Sequence, residues 1–205
     1  DSFKEVVDRK YNTLVCKLAT KLTHPKREVE TSLGNLIADA MAAASDTDVM
    51  LVGSGSIRVK KLGPVVTLKD FLACFPYDDT LTRFQLSGER LKNVFNFIMR
   101  PSNRNSEGEC YQVNSKVKAV YSDSKETLQS LQIDGEEVKD DEIYTMTLQG
   151  YHFSNSQDYL NISEKQLLEA GESKVVTTSA QQVLEEYLRA NQNIRREVEG
   201  RLNYT

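Results

Sequence analysis

The stretch Asp48-Val49-Met50-Leu51-Val52 is apolar after its first residue and breaks into Gly53-Ser54-Gly55-Ser56-Ile57-Arg58. An apolar run this short, ended by a glycine turn, reads as a buried strand. Gly53 and Gly55 permit positive φ, so successive N–H groups in the turn can face one ligand. Ser54 and Ser56 add hydroxyl donors, and Arg58 adds a fork suited to phosphate or carboxylate, which makes the turn a candidate anion cradle. Two glycines at such a junction also occur for purely structural reasons, so the rest of the chain has to decide between the readings.

A length of 205 residues with 39% hydrophobic and 27% charged side chains fits one globular domain. The formal net charge of −4 argues against nucleic-acid or membrane-surface partners and confines any phosphate site to a local basic pocket. No apolar run approaches the roughly 20 residues of a bilayer span, and the N-terminus lacks a signal-peptide pattern. The chain opens in charged, helix-compatible sequence, as an excised C-terminal portion of a longer protein would. Cys16, Cys74 and Cys110 cannot all pair with one another, and their spacing matches no zinc motif. His24 and His152 are too few for a histidine-based metal site.

Residues 3–22 have mostly helical apolar spacing and predict a helix stopped by Pro25. In Leu33, Leu36, Ile37, Ala40, Met41 and Ala44 the spacing is i, i+3, i+4, i+7, i+8, i+11, one apolar helix face capped by Thr31 or Ser32. Gly34 within it suggests that another backbone packs closely there. Val65-Val66 predicts a short strand, Thr67 the cap of a helix through Cys74, and Phe75-Pro76-Tyr77 an extended segment that presents Tyr77 stiffly. A strand over 80–86 leads into a helix with Leu91, Val94, Phe95 and Ile98 inward. The polar residues 101–109 read as a mobile loop. Strands are predicted over 111–113, 117–121, 128–133 and 143–149. Residues 151–162 fit neither period and read as an aromatic loop. A short helix over 164–170, a strand over 174–178, a helix over 179–190 and a charged helical tail complete the chain.

These pieces resemble, in order and content, the C-terminal, substrate-binding domain of the 5'-nucleotidase family, which includes UDP-sugar hydrolases and 2',3'-cyclic-nucleotide phosphodiesterases. The motifs are Arg27-x-x-Glu30 before Leu33-Gly34-Asn35-Leu36-Ile37-Ala38-Asp39-Ala40-Met41, then Gly53-Ser54-Gly55-Ser56-Ile57-Arg58, Phe75-Pro76-Tyr77 and Leu86-Ser87-Gly88. The resemblance spans about residues 5–190. It implies that Arg27 and Arg58 reach the phosphate region, that Gly55 and Ser56 belong to the glycine-rich turn, and that Tyr77 is one of two aromatics enclosing the base. It implies further that Asp158 hydrogen-bonds ribose, and that the second aromatic is His152 by direct count, flanked by Tyr151 and Phe153. One of those three is the other jaw. Two divalent metals and the attacking water would belong to an N-terminal metallophosphatase domain, which this sequence lacks, and the family's setting implies an extracytoplasmic or cell-surface location. The sequence departs from the family at Gly53, where asparagine is usual, and at Ser156-Gln157-Asp158-Tyr159, where Gly-Gly-Asp-Gly is usual.

The resulting expectation is an α+β domain, a mixed sheet flanked by helices, with Leu36, Ile37, Met41, Val49, Leu51, Leu91, Phe95 and Leu184 in its core. The functional expectation is the substrate-recognition domain of a nucleotide or phosphoester hydrolase that carries no catalytic or metal-ligating residue of its own. The departures motivate a second reading, a binding or structural module that kept the fold without the nucleotide clamp.

Overall fold

Val49–Gly53 is buried at every residue, because it is an inner strand of a five-stranded mixed sheet with a packed layer on each face. The computed structural model describes residues 2–105 and 108–205; Ser106 and Glu107, within the stretch read as a loop, lie outside the described residues. Helix α1 (Phe3–Tyr11) is capped by a reciprocal Ser2–Glu5 box and buries none of its residues. The helix expected through residue 22 stops there. Leu14–Lys17 is instead strand β1 and Leu22–Thr23 strand β2, so Val15, Leu18 and Leu22 reach the core from extended backbone.

Helix α2 (Ser32–Ser45) starts where the Thr31 hydroxyl accepts from the Gly34 amide and ends at Asp46 in the left-handed region. Strand β3 (Val49–Gly53) follows, then β4 (Lys61–Leu62), β5 (Val65–Thr67) and α3 (Leu68–Cys74), the last opened by a Thr67–Asp70 capping box. Strand β6 (Leu81–Ser87) runs into α4 (Gly88–Ile98), and Pro101–Arg104 makes a 3-10 turn inside the stretch read as a loop. Strands β7 (Tyr111–Val113), β8 (Val117–Ser122), β9 (Thr127–Ile133), β10 (Glu136–Glu137) and β11 (Ile143–Gln149) come next. The aromatic segment expected to be a loop folds as two five-residue helices, α5 (Gly150–Ser154) and α6 (Ser156–Leu160). Helix α7 (Glu164–Leu167), strand β12 (Lys174–Thr177) and helix α8 (Ala180–Ala190) precede a tail that ends as strand β13 (Leu202–Tyr204), where a helix was expected.

The central sheet has the order β12-β6-β11-β3-β7, with β11 parallel to β3 and the other neighbours antiparallel. A second sheet, β10-β9-β8-β13, covers part of it, and β13 lies parallel to β8. Alternation along β3 divides the core. Met50 and Val52 join α2 and α8 on one face, while Val49 and Leu51 join Phe84, Leu86, α4 and the second sheet on the other. All eight expected core residues are buried. Each such side chain contributes on the order of 1.5–3 kcal/mol by leaving water. At Gly34 the close neighbour is the Gln112 side chain rather than a backbone.

The C-terminal stretch is not a solvated tail. Arg201 is 1% exposed, with its Nη1 and Nη2 2.8 and 3.0 Å from the two oxygens of Asp39. Glu30 accepts from the amides of Glu199 and Arg201, both at 2.7 Å, and from Asn35 Nδ2 at 2.8 Å. Glu30, Asn35 and Asp39, three polar residues of the motif quoted above, therefore clasp the C-terminus over α2.

Candidate functional site

Strands β3 and β11 run parallel, and the chain leaves both at the same edge of the sheet. The segments entering the antiparallel strands β6 and β7 arrive at that edge too. Arg27, Gly55, Ser56, Arg58, Tyr77 and Tyr151 line one cavity of about 410 Å³ there, with Asp78, Asp79, Glu109, Gln149 and His152. A second cavity of about 430 Å³ shares Arg27, Gly55 and Arg58 with it and adds Lys26 and Lys60. The basic residues collect at that end, whereas the two tyrosines belong to the first cavity alone.

The turn after β3 is a single 3-10 turn, Ser54–Ser56, and neither glycine has positive φ. The Ser54 amide donates to Cys110 O and its hydroxyl accepts from Gln112 Nε2. Arg58 N donates to Cys74 O, and Gly53 N to Gln149 Oε1 at 2.8 Å. The expected cradle thus narrows to the Gly55 amide, an orphan first amide of the turn, because in a 3-10 turn the Ser56 amide closes back on Gly53 O. Ser54, buried at 1%, belongs to the scaffold. A side chain on Gly55 would meet nothing within 4 Å, so at this point the backbone borders open space. Gln149, which the sequence reading missed, holds the turn from both sides: Oε1 takes the Gly53 amide and Nε2 donates to Ser56 Oγ at 3.2 Å.

Pro76 separates Phe75, fully buried, from Tyr77, 55% exposed and facing the cavity. Tyr151, 53% exposed, lines the same cavity; its amide donates to Asp79 Oδ2 at 2.8 Å and its hydroxyl is 3.0 Å from that of Tyr159. Of the three candidates for the second aromatic, Tyr151 is the exposed one. Phe153 turns inward, its ring 5.0 Å from that of Phe84, and does not line the cavity. Asp158 lies exposed on α6 and does not line it either. Both were expected at the site. With five-residue helices where a loop was foreseen, a direct count along the chain does not preserve which residue faces the cavity. Asp79 and Asp78 are spent on the scaffold, the first on the Thr80 and Tyr151 amides, the second on Ser179 and Gln181.

His152 is 3% exposed, with Nδ1 2.9 Å from the Tyr111 hydroxyl. That hydroxyl is buried and has no other partner among the described residues, so the arrangement in which it donates to Nδ1 leaves no buried donor unmet and puts the imidazole proton on Nε2. A Cβ at Gly53 would collide with Nε2. The departure from the family pattern at Gly53 therefore fits its surroundings, since loss of a side chain there makes room for the imidazole of His152. Burial holds the His152 pKa down at about 4, opposed by the Asp79 carboxylate. A depressed histidine pKa favours the fold while the ring is neutral, so the contribution is complete above the unfolded value near 6.5 and is lost as pH falls toward 4. Relative to His152→Gln, urea titrations should show the parent losing about 2 kcal/mol between about pH 7 and pH 5. Parallel pH profiles would refute the neutral, buried imidazole. His24 is structural, bridging Thr31 Oγ1 and Ser54 O, and burial lowers its pKa as well.

Among the described residues no cluster of three or more His, Cys, Asp or Glu side chains could hold a metal, and no helix is long and apolar enough to cross a membrane.

The site and fold together define a class: an α+β domain with a mixed sheet and an open, arginine- and tyrosine-lined cavity at one sheet edge. The family described as 5'-nucleotidase, C-terminal domain, matches residues 13–163, and the chain belongs to it. The structure is similar to the 5'-nucleotidase precursor of Thermus thermophilus (TM-score 0.78, 18% identity, 98% of this chain and 41% of that one). It is also similar to the NAD nucleotidase of Haemophilus influenzae (TM-score 0.77, 14% identity, 98% and 40%). These identities establish the fold. In sequence, 126 residues are 33% identical to the Bacillus subtilis endonuclease YhcR, covering 60% of this chain and 10% of that protein. The chain thus spans a minor part of each relative's length.

Proposed function

We propose that this chain is the substrate-recognition domain of a nucleotide or related phosphoester hydrolase, presenting its ligand to a metallophosphatase domain that precedes it in a longer protein. The convergence of Arg27, Arg58, the Gly55–Ser56 backbone, Tyr77 and Tyr151 on one cavity carries this reading. Exposed aromatic faces suit a base, and the guanidinium forks with the Gly55 amide and the Ser56 hydroxyl suit a phosphate. The adjoining cavity, with Lys26 and Lys60, extends the positive end beyond a single phosphate. Gln149 orients the turn and Asp79 orients Tyr151, so the ligand-facing groups stand on a fixed frame.

Calorimetric titration with AMP, UMP, ADP and the matching nucleosides tests the proposal. Arg58→Ala should weaken nucleotide binding roughly 10- to 150-fold, the loss of one charge-assisted contact, and leave nucleoside binding within about twofold. Equal losses for both would remove Arg58 from the phosphate. The chain by itself should release no phosphate from any of these ligands, with or without added divalent cation, because among the described residues no cluster of His, Cys, Asp or Glu could hold a metal. Release that survives repurification would overturn that part.

A second reading, a module that kept the fold without the clamp, is favoured by one observation: Asp158, the residue matched to the ribose contact, does not line the cavity. Failure of every nucleotide and nucleoside to bind would select it.

A further inference from the structure

A cavity of about 980 Å³, more than twice the volume of the Arg27–Tyr151 cavity, lies between α4, the Pro101–Arg104 turn and the α6–α7 segment, and shares no residue with it. Its polar groups are mostly donors, and the backbone makes them so. Asn96 Oδ1 is taken by the Leu128 amide at 2.7 Å and Gln166 Oε1 by the Ser163 amide at 2.9 Å, which leaves the NH₂ ends of both side chains open. Arg100 lies over the Phe97 ring, 3.5 Å from its centroid, and gives Nη2 to Asn103; its Nε is buried without a partner and Nη1 makes no hydrogen bond among the described residues. The Tyr121 hydroxyl and the Lys165 ammonium likewise have no partner among the described residues and line the same space. Of the charges present, Arg90 and Glu169 neutralise each other at 2.8 Å, leaving Arg100 and Lys165 against the exposed Glu126.

We propose that this cavity is a second ligand site, separate from the nucleotide cavity, for a small polar molecule carrying an oxyanion. Phosphate and carboxylate share the chemistry that the donors select, since both are anions whose oxygens accept from a guanidinium and from amide NH₂ groups. The volume falls within the roughly 300–1,000 Å³ range of small-molecule sites.

The test is a side-chain-resolved NMR titration of the isotopically labelled chain with inorganic phosphate, glucose 6-phosphate, glucuronate and, as the neutral control, glucose. The NH₂ resonances of Asn96 and Gln166 and the Nε–H of Arg100 are expected to move saturably with at least one anion and not with glucose. Glucose 6-phosphate against glucuronate decides between phosphate and carboxylate. Arg100→Gln should weaken the response roughly tenfold or more. Lys165→Glu, a reversal at an exposed side chain that leaves the fold intact, should weaken it severalfold and carries the test if Arg100→Gln fails to fold. Shifts confined to Arg58 and Tyr151, equal shifts with glucose, absence of saturation, or unchanged affinity in the folded variants would each overturn the second site.

Discussion

Replacing Asp39 by alanine is expected to destabilise the fold by about 3–5 kcal/mol, the cost of leaving a buried charge without its partner. Asp39 accepts four hydrogen bonds: two from Arg201, one from Arg196 Nε at 2.8 Å and one from the Ser115 amide at 2.9 Å. Without it, Arg201 at 1% exposure keeps one carboxylate, the half-exposed Glu199 at 3.1 Å. Urea unfolding measures the loss as a lower midpoint. Removing both charges at once, Asp39→Leu with Arg201→Met, should recover most of the stability, because replacing a buried ion pair by apolar groups is often neutral. A loss below about 1 kcal/mol in Asp39→Ala, against that expectation, would mean that the C-terminal stretch is not clasped in solution.

The same network shows why the tail was illegible in the sequence. Asp39 and Arg201 are 162 positions apart, and a local pattern of charged residues reads as a solvated helix whatever a distant carboxylate does with them. Where the determining contacts are periodic and local, the sequence sufficed. The i, i+3, i+4 spacing of α2, the apolar run of β3 and the inward Leu91, Val94, Phe95 and Ile98 face of α4 are all found where expected. The segment 12–22 failed because its apolar residues satisfy helical spacing while β5 offers β1 an open edge to pair with, and pairing prevailed over propensity. Residues 150–160 failed for a different reason. Two five-residue helices are shorter than the windows in which a helical period can be recognised.

The site was legible in its order along the chain and less so in its facing. Arg27, Gly55, Ser56, Arg58 and Tyr77, which the family resemblance implied for the site, line one cavity, Gly55, Ser56 and Arg58 after a strand that the sequence marks clearly and Tyr77 before one, while Arg27 precedes the clearly periodic α2. The glycines were recognised for the wrong physical reason. Gly53 is needed because His152 occupies the volume of its missing side chain, and a contact across 99 positions leaves no local trace. A Gly53→Asn change, restoring the usual family residue, would have to displace His152 and break its bond to Tyr111. Gln149 left no signal either, as a glutamine at a strand end is ordinary until its two partners are seen.

Tyr77→Ala and Tyr151→Ala should each weaken AMP binding by roughly 5- to 150-fold, the range set by stacking energies of about 1–3 kcal/mol per base. The reasoning is geometric. Both rings are more than half exposed, both line the cavity that holds Arg27 and Arg58, and neither exposure serves the core. Stacking uses the ring face, so Tyr77→Phe should bind within about twofold of the parent, whereas loss of the ring should cost nucleotide and nucleoside alike. That pattern is the complement of the one expected for Arg58→Ala. If the rings hold opposite faces of one base, both single changes should weaken binding and, sharing that partner, couple rather than add; if one ring alone stacks, the other single variant should match the parent. Phe153→Leu supplies the contrast, since its ring packs against Phe84 and its loss should lower stability while sparing affinity. Asp158→Asn should leave AMP binding unchanged, because its side chain does not line the cavity. Calorimetry on the folded variants reads all of these. Parent-like AMP affinity in both alanine variants, or a large loss in Asp158→Asn, would show that the base is not held between Tyr77 and Tyr151.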